Sequence, residues 1–394
     1  MRILINAASA GLGGALTYIT NFLRELPGVA APRDRFFVVV PSPARDSLHS
    51  IIDKGRVELI PYLAGKSTAL QRFYFDSWII PRIARERKVD VLFSSTGFGT
   101  LRAPCPQVLL VRNAAYFCPL FQRKYKEIHA SLHSTRLRRW ISLVSIQAAN
   151  AVVFPSEAMR QLVTSWTSIS KKRAVVLHHG FSSTSFFKNA APKPEIADKM
   201  ENWRAEGYKI LLNVSHYAVH KNFETVIEAL PLVMASGAKI RFVCTLSDRL
   251  LEHGSLYATR YKFLLARQRK LDISDVVVHA GHFNHDQLHY LYERADIFVF
   301  PSFTESFGQP LVEAMSCGLP IVASDTAVNR ELCGEAGSYF ETFHAGSCAS
   351  VLTETLCNAD LRSAMKIRAL ERSKDFSWTK HTASLLELFR NVCL

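Results

Sequence analysis

The 394-residue sequence contains no hydrophobic segment long enough to cross a membrane. Its longest apolar runs, such as QVLLV (107–111) and IFVFPSF (297–303), fall far short of the ~18–20 residues that a spanning helix requires. Near the N-terminus, Asn6 and three glycines interrupt the apolar core that a signal peptide would need. We therefore expect the chain to open with a strand and a loop.

Paired metal ligands are also missing. The eight cysteines are scattered without a C-x-x-C pair that could complete a zinc site, and no Asp-x-Asp triplet occurs. These absences argue against a zinc site and against a disulfide scaffold. They favour a reduced, cytoplasmic protein without a bound metal.

Acidic residues are outnumbered by basic ones. The chain has 48 Lys and Arg against 34 Asp and Glu, a net charge of +14. Such an excess predicts an anionic partner: nucleic acid, a phosphate-rich substrate or an anionic membrane surface. No helix-turn-helix, RNP-like or zinc-finger pattern accompanies the charge, so we expect no nucleic acid partner. The most basic stretch, residues 121–140, interleaves its charges with aromatics and leucines, which is typical of an amphipathic element on anionic lipid. A solvated helix face is the alternative.

Short apolar, β-rich runs alternate with longer helical patterns throughout the chain. This alternation predicts parallel sheets with helices on both faces. RILINA (2–7) and KILLNV (209–214) each look like the first strand of a separate doubly wound sheet, and the polar segment 188–203 between them resembles a linker. We expect two Rossmann-like domains facing across a cleft, with ligand at the carboxyl ends of the strands.

Two glutamates in the segment PSFTESFGQPLVEAMSCGLPIVASD (301–325) stand out from their apolar surroundings. Glu305 follows a predicted buried strand, and a short helix is predicted from Pro310 to a stop at Gly318. The loop thus feeds a helix N-terminus, which is suited to a phosphate group. Glu313 lies one turn into that helix, where its carboxylate can accept hydrogen bonds from a sugar diol.

This segment closely resembles the signature of the family 4 retaining glycosyltransferases of bacterial polysaccharide and lipopolysaccharide synthesis, which have the GT-B fold. Segments 211–230 and 279–302 are similar to that family's phosphate-binding and nucleotide-binding regions. Three further segments match more weakly: 11–23, 150–163 and 375–389. The resemblance implies an N-terminal acceptor domain over 1–190 and a C-terminal donor domain over 204–377. It also implies a final helix, about 378–394, that returns to the first domain.

The resemblance assigns roles by position. Glu313 is expected to hold the ribose of a nucleotide-sugar donor, and Glu305 to contact the donor sugar as a catalytic residue. Lys221 corresponds to the family lysine that neutralises the diphosphate, and it would stabilise the transition state. The backbone of three neighbouring residues is expected beside the sugar: Phe307, Gly308 and Gln309. With that lysine and a helix N-terminus in place, no metal or other cofactor is expected.

The sequence departs from the family at two places. His216 stands five residues before Lys221, where the family usually has an arginine. Arg112 and Asn113 stand where many members have a His-Asp pair. Because arginine stays protonated, Arg112 can bind a phosphate or a sugar hydroxyl but cannot act as a base. Arg112 and Asn113 either shape the donor site or simply cap a strand end.

A glycine loop, AGLGGA (10–15), follows the first strand. Gly13 and Gly14 are candidate contacts for donor or acceptor, and a plain β–α turn is the alternative. The loop lacks the third glycine of a dinucleotide-binding motif, which disfavours an NAD-dependent dehydrogenase.

The function expected is transfer of a hexose from a nucleotide-diphosphate sugar to a hydroxyl acceptor on a growing or lipid-linked glycan. Residues 121–140 would place the enzyme at the inner membrane face. The departures at Arg112, Asn113 and His216 leave open a catalytically silent sugar-nucleotide-binding protein.

Overall fold

The computed structural model describes residues 1–10, 14–62, 71, 74–126, 133–181, 186, 193–247 and 256–394. The chain forms two compact units: unit 1 is Met1–Gly180 with Ser377–Leu394, and unit 2 is Phe181–Phe376. Among the described residues, no helix combines the length and apolar character needed to cross a membrane. All eight cysteines are free thiols.

Unit 1 is built on a seven-stranded parallel sheet in the order β3-β2-β1-β4-β5-β6-β7. Its strands are β1 Arg2–Asn6, β2 Arg35–Pro41, β3 Val57–Tyr62, β4 Val91–Ser94, β5 Gln107–Leu110, β6 Ala151–Phe154 and β7 Ala174–Val176. The central strands are buried on both faces, as their uninterrupted apolar runs require of a parallel sheet.

The described helices of unit 1 include one from the chain's C-terminus. They are α1 Gly14–Val29, α2 Ser42–His49, α3 Ile80–Glu86, α4 Pro119–Lys126, α5 His133–Ala148, α6 Glu157–Thr164 and α15 Trp378–Val392, numbered in chain order. Helix α15 buries Leu385, Leu386 and Phe389 in the same core as β1 and α1. Its His381 Nε2 lies 2.9 Å from the hydroxyl of Tyr18 on α1, so the two helices share a polar contact inside the core.

Unit 2 repeats the architecture with a six-stranded parallel sheet in the order β10-β9-β8-β11-β12-β13. The strands are β8 Lys209–Asn213, β9 Ile240–Cys244, β10 Val277–His279, β11 Ile297–Phe300, β12 Ile321–Ser324 and β13 Gly337–Phe340. The described helices are α7 Pro194–Ala205, α8 Phe223–Ala235, α9 Leu256–Lys270, α10 His285–Arg294, α11 Gln309–Ser316, α12 Ala327–Cys333, α13 Ala345–Cys357 and α14 Ala359–Ser373.

The predicted fold class, two Rossmann-like parallel-sheet domains, is confirmed. The prediction of a linker over 188–203 is partly wrong, because residues from Pro194 onward form α7. A proline at the helix start and Glu195 in the first turn favour helix there, and Ile196 and Met200, one turn apart, are buried. Residues 187–192 lie outside the described part of the chain.

Candidate active site

Two loops of unit 2 lie side by side because they follow neighbouring strands. One connects β8 to α8 and carries Lys221; the other connects β11 to α11 and carries Glu305. The Phe303 amide donates to the carbonyl of His220 at 2.9 Å, and Asn222 Nδ2 donates to the carbonyl of Pro301 at 3.2 Å. These bonds fasten the loops together at the carboxyl edge of the sheet, where a ligand site is expected in such folds.

Lys221 and Glu305 form an ion pair between these loops. Lys221 Nζ lies 2.6 Å from Glu305 Oε1, and the side chains are only 9% and 14% exposed. Burial acts to raise the pKa of Glu305, but the charge of Lys221 and the hydrogen bond that Lys221 donates outweigh it, so the pKa is lowered. Glu305 is therefore a carboxylate at neutral pH.

Two histidines flank this pair. His220 Nε2 lies 3.9 Å from Glu305 Oε1. Burial lowers the pKa of His220 to about 4. Lys221 and His216 act in the same direction, and Glu305 opposes them. Desolvation and the charge of Lys221 also lower the pKa of His216, although its residue surface is exposed. Both rings are thus neutral at pH 7, and Lys221 is the cation of this site.

Helix α11 begins beside the pair. Gly308 precedes it with φ 98° and ψ 56°, a left-handed conformation that favours glycine, and an added Cβ would lie 3.1 Å from Leu311 Cδ1. Gln309 is the first helical residue, so Pro310 occupies the second position and not the first as predicted. Phe307 is buried edge-on against Phe376, with ring centroids 5.7 Å apart, and this packing holds the loop in place.

Glu313 lies on α11 with 4% exposure and is held by two residues of α10. The Tyr292 hydroxyl donates to Glu313 Oε2 at 2.9 Å, and His285 Nε2 lies 3.3 Å from Oε1. Burial and the adjacent carboxylate raise the pKa of Tyr292 well above its ordinary value, so its hydroxyl remains a donor. One carboxylate oxygen is therefore fixed from inside the fold, and the other faces a half-buried histidine.

Tyr292 and His285 were missed by sequence reasoning. Both lie in segment 279–302, which resembles the family's nucleotide-binding region, but nothing in their spacing indicates that α10 would turn them toward a glutamate on the following helix. The ion pair was missed as well, since Lys221 and Glu305 are 84 residues apart.

Replacing Tyr292 by phenylalanine is expected to weaken nucleotide-diphosphate binding by about 5–10-fold, because a charge-assisted bond that orients Glu313 is lost. The matched control is Tyr290→Phe on the same helix, whose hydroxyl donates to exposed Glu201 at 3.3 Å. Isothermal titration with a nucleoside diphosphate measures the difference. Equal affinities for the two variants would contradict the role given to Tyr292.

The unit 1 candidates lie near the start of α1. Arg112 Nη1 donates to the carbonyl of Gly14 at 3.2 Å, and its guanidinium lies 5.8 Å from the ring centre of Tyr18. Asn113 Oδ1 accepts from the amide of Ala115 at 3.2 Å and caps a short 3-10 turn. Asn113 thus has the structural role of a cap, whereas Arg112 reaches the glycine loop. Gly13 lies outside the described residues.

Within the part of the chain that the structure describes, no group of three His, Cys, Asp or Glu side chains is placed to hold a metal ion.

Two family models match the chain and divide it much as the units do. The model described as glycosyl transferases group 1 matches residues 195–372, and glycosyltransferase family 4 matches residues 12–184.

Solved structures with the same architecture are glycosyltransferases of the GT-B fold. Sucrose-phosphate synthase from Thermosynechococcus elongatus superposes with a TM-score of 0.73 at 16% identity, covering 100% of this chain and 99% of that one. Anabaena HepE in complex with UDP and glucose gives 0.73 at 16% identity, with 99% of both chains covered. These likenesses establish the GT-B fold.

Among curated proteins, O-antigen chain mannosyltransferase B of Escherichia coli is 34% identical over 110 residues, which are 28% of this chain and 29% of that protein. The E. coli serotype-specific mannosyltransferase WbdA is 26% identical over 250 residues, 64% of this chain and 30% of that protein. The chain matches less than a third of the length of these relatives. By its two family models and its fold, it belongs to the family 4 glycosyltransferases.

Proposed function

We propose that this chain is a retaining glycosyltransferase that transfers a hexose from a nucleotide-diphosphate sugar to a hydroxyl on a growing or lipid-linked glycan. The observation that carries the proposal is the buried pair of Lys221 and Glu305 beside the N-terminus of α11, with Glu313 one turn further on. All three residues stand at the positions that the family signature assigns to donor binding.

The proposed chemistry follows from this arrangement. Breaking the bond between sugar and diphosphate places negative charge on the departing diphosphate. Lys221 and the positive end of α11 are fixed where they would stabilise that charge. His216 and His220 are neutral, so each can donate a hydrogen bond to a phosphate oxygen without adding charge. We propose that this arrangement makes a divalent metal unnecessary. Retention of configuration is inferred from the family.

The names of related proteins support the donor and acceptor classes. HepE has been solved with UDP-glucose, and the E. coli relatives are named O-antigen chain mannosyltransferase B and serotype-specific mannosyltransferase WbdA. Proteins named D-inositol 3-phosphate glycosyltransferase, whose acceptor carries a phosphate, are 31% identical over short regions. We infer a nucleotide-diphosphate-linked hexose as donor.

A panel of nucleotide sugars tests the proposal. The purified chain should bind at least one of them, release its nucleoside diphosphate and give a product with the anomeric configuration of the donor, as read by NMR. A catalytically silent binding protein is favoured by His216 and Arg112, which replace the usual family residues. Binding without release of diphosphate, against lipid-linked and free glycan acceptors, would support that alternative. If none of the nucleotide sugars binds, both the transferase and the silent binding protein are contradicted.

We also propose that unit 1 rests on an anionic membrane at the cytoplasmic face. Unit 1 contains 27 Lys and Arg against 11 Asp and Glu, a net charge of +16, while unit 2 contains 21 against 23, a net charge of −2. The whole excess of positive charge thus belongs to unit 1. On α5, Leu137 and Trp140 are 48% and 61% exposed, and Arg136 and Arg138 are exposed beside them. Residues 127–132 of the basic segment lie outside the described residues.

Liposome flotation tests this membrane surface. The chain should float with vesicles that contain anionic lipid, and Leu137→Gln/Trp140→Gln should reduce the bound fraction several-fold because the apolar anchors are lost. The control is Phe263→Gln in unit 2, which removes a 68% exposed aromatic from a unit without net positive charge. Equal flotation of all variants, or none with anionic lipid, would contradict the proposal.

A further inference from the structure

Arg112 is a cation without an anionic partner among the residues that the structure describes. Its guanidinium follows β5, donates to the carbonyl of Gly14 at 3.2 Å and lies 5.8 Å from the Tyr18 ring centre. No carboxylate of the described residues lies within ion-pair distance of it. The side chain is half-buried, and burial lowers its pKa, yet an arginine stays protonated under all ordinary conditions.

The groups around this guanidinium carry no compensating charge. Burial raises the pKa of Tyr18, so its hydroxyl remains protonated. Burial, helped by His381 and Arg112, lowers the pKa of His179 well below its ordinary value, and burial lowers that of His381 to about 4. These groups are therefore neutral at pH 7. Arg112 supplies the one full charge of this cluster of described residues.

Other arginines and the active-site lysine are compensated in a different way. Arg160 forms a forked pair with Glu157 in unit 1, Arg87 pairs with Glu58 at 2.5 Å, and Lys221 pairs with Glu305 in unit 2. A partly desolvated charge left without a counter-charge is costly. A protein that keeps one beside a glycine loop and the start of a helix has a cation available for a ligand.

The chemistry of the guanidinium defines that ligand. Its planar fork of N–H groups matches two oxygens of a phosphate or a carboxylate. A single N–H donates to Gly14, and no other described protein group accepts from the rest. The net charge of +16 on unit 1 attracts anions and so also favours an anionic ligand at Arg112.

We propose that Arg112 is the anchor of an oxyanion-binding site in unit 1. The oxyanion is a phosphate or carboxylate, which in the proposed reaction is a charged group on the acceptor. Only this assignment to the acceptor rests on the proposed glycosyltransferase function. Binding of the oxyanion itself does not.

Inorganic phosphate is the probe, and the full-length Lys221→Gln variant is the background, since it removes the cation of the unit 2 site. Phosphate at constant ionic strength should raise the melting temperature of this variant, because a bound ligand stabilises the fold. Adding Arg112→Gln should weaken phosphate binding about tenfold or more, as loss of charge-assisted bonds implies. Adding Arg160→Gln removes the same charge from unit 1 and should change nothing.

Phosphate binding that is equal in the Arg112→Gln and Arg160→Gln variants, or absent from the background variant, would overturn the proposal. Arg112→Lys keeps the positive charge but lacks the planar guanidinium, and it should bind phosphate with intermediate affinity. If Arg112→Gln does not fold, the phosphate affinity of Arg112→Lys is compared with that of the background variant instead.

The assignment to the acceptor is tested in the protein that retains Lys221. Arg112→Gln should lose the phosphate binding of unit 1 while its affinity for a nucleoside diphosphate stays unchanged. Weaker nucleoside diphosphate binding by this variant would contradict the assignment to the acceptor. A chain that binds phosphate through Arg112 but no nucleotide sugar would refute the proposed function and leave the oxyanion site standing.

Discussion

Replacing Lys221 by glutamine should lower the rate of glycosyl transfer by about 10²–10³-fold, the usual effect of removing a fixed donor that meets charge developing in the transition state. The loss should appear mainly in kcat, since the charge on the departing diphosphate is greatest as the bond breaks. Steady-state kinetics with the donor found in the nucleotide-sugar panel measures it. A variant with unchanged kcat would contradict the role of Lys221.

Stability separates this catalytic role from a structural one. The variant leaves the buried Glu305 carboxylate without its partner, which should cost up to about 3 kcal/mol of unfolding free energy. The double variant Lys221→Gln/Glu305→Gln removes both charges, so it should regain most of that stability and none of the activity. Lys209→Gln is the control: its pair with Asp296 at 3.1 Å leaves the lysine 46% exposed, so its loss should change stability by less than about 1 kcal/mol.

The second large effect is expected where the chain leaves and re-enters unit 1. A Cβ added at Gly180 would lie 1.9 Å from the backbone nitrogen of Trp378, at the start of α15. The added Cβ is bonded directly to the main chain of residue 180 and the atom it meets is main chain of Trp378, so neither can turn away. Gly180→Ala should therefore displace α15 from its place against α1. The burial of Leu385, Leu386 and Phe389 would then be lost, and a loss of more than about 4 kcal/mol of unfolding free energy is expected.

Chemical denaturation measures this loss, and limited proteolysis should cut α15 faster in the variant. Gly28→Ala is the matched control, because a Cβ there has no neighbour within 4 Å and Gly28 lies within a helix. It should be neutral or slightly stabilising, since alanine favours helix. A Gly180→Ala protein as stable as the control would show that the C-terminal helix is not docked as described.

The fold was largely predictable because its central strands are buried on both faces. Continuous apolar runs such as KILLN and IFVF then favour strands. The local sequence indicates the edge strands β3, β7 and β13 less clearly. These strands are partly exposed and have short or mixed runs such as VELIPY and GSYF.

From the residues alone the site was predictable only where it is contiguous in sequence, and Lys221 was assigned to it by the family resemblance. The loop and helix from Glu305 to Glu313 form one local strand–loop–helix unit, so both glutamates could be placed from the sequence. The partners that fix them come from other elements: Lys221 from the β8–α8 loop, and Tyr292 with His285 from α10. Register between such distant segments is decided by tertiary packing, on which local propensity carries no information.

Donor binding by the wild-type chain and by Glu313→Ala tests the proposed donor site directly, by thermal shift and then by titration over a panel of nucleotide-diphosphate sugars. At least one nucleotide sugar should stabilise the wild-type protein, and Glu313→Ala should bind it at least tenfold more weakly while remaining folded. Equal affinity of the two proteins for that nucleotide sugar would contradict the donor site proposed for unit 2.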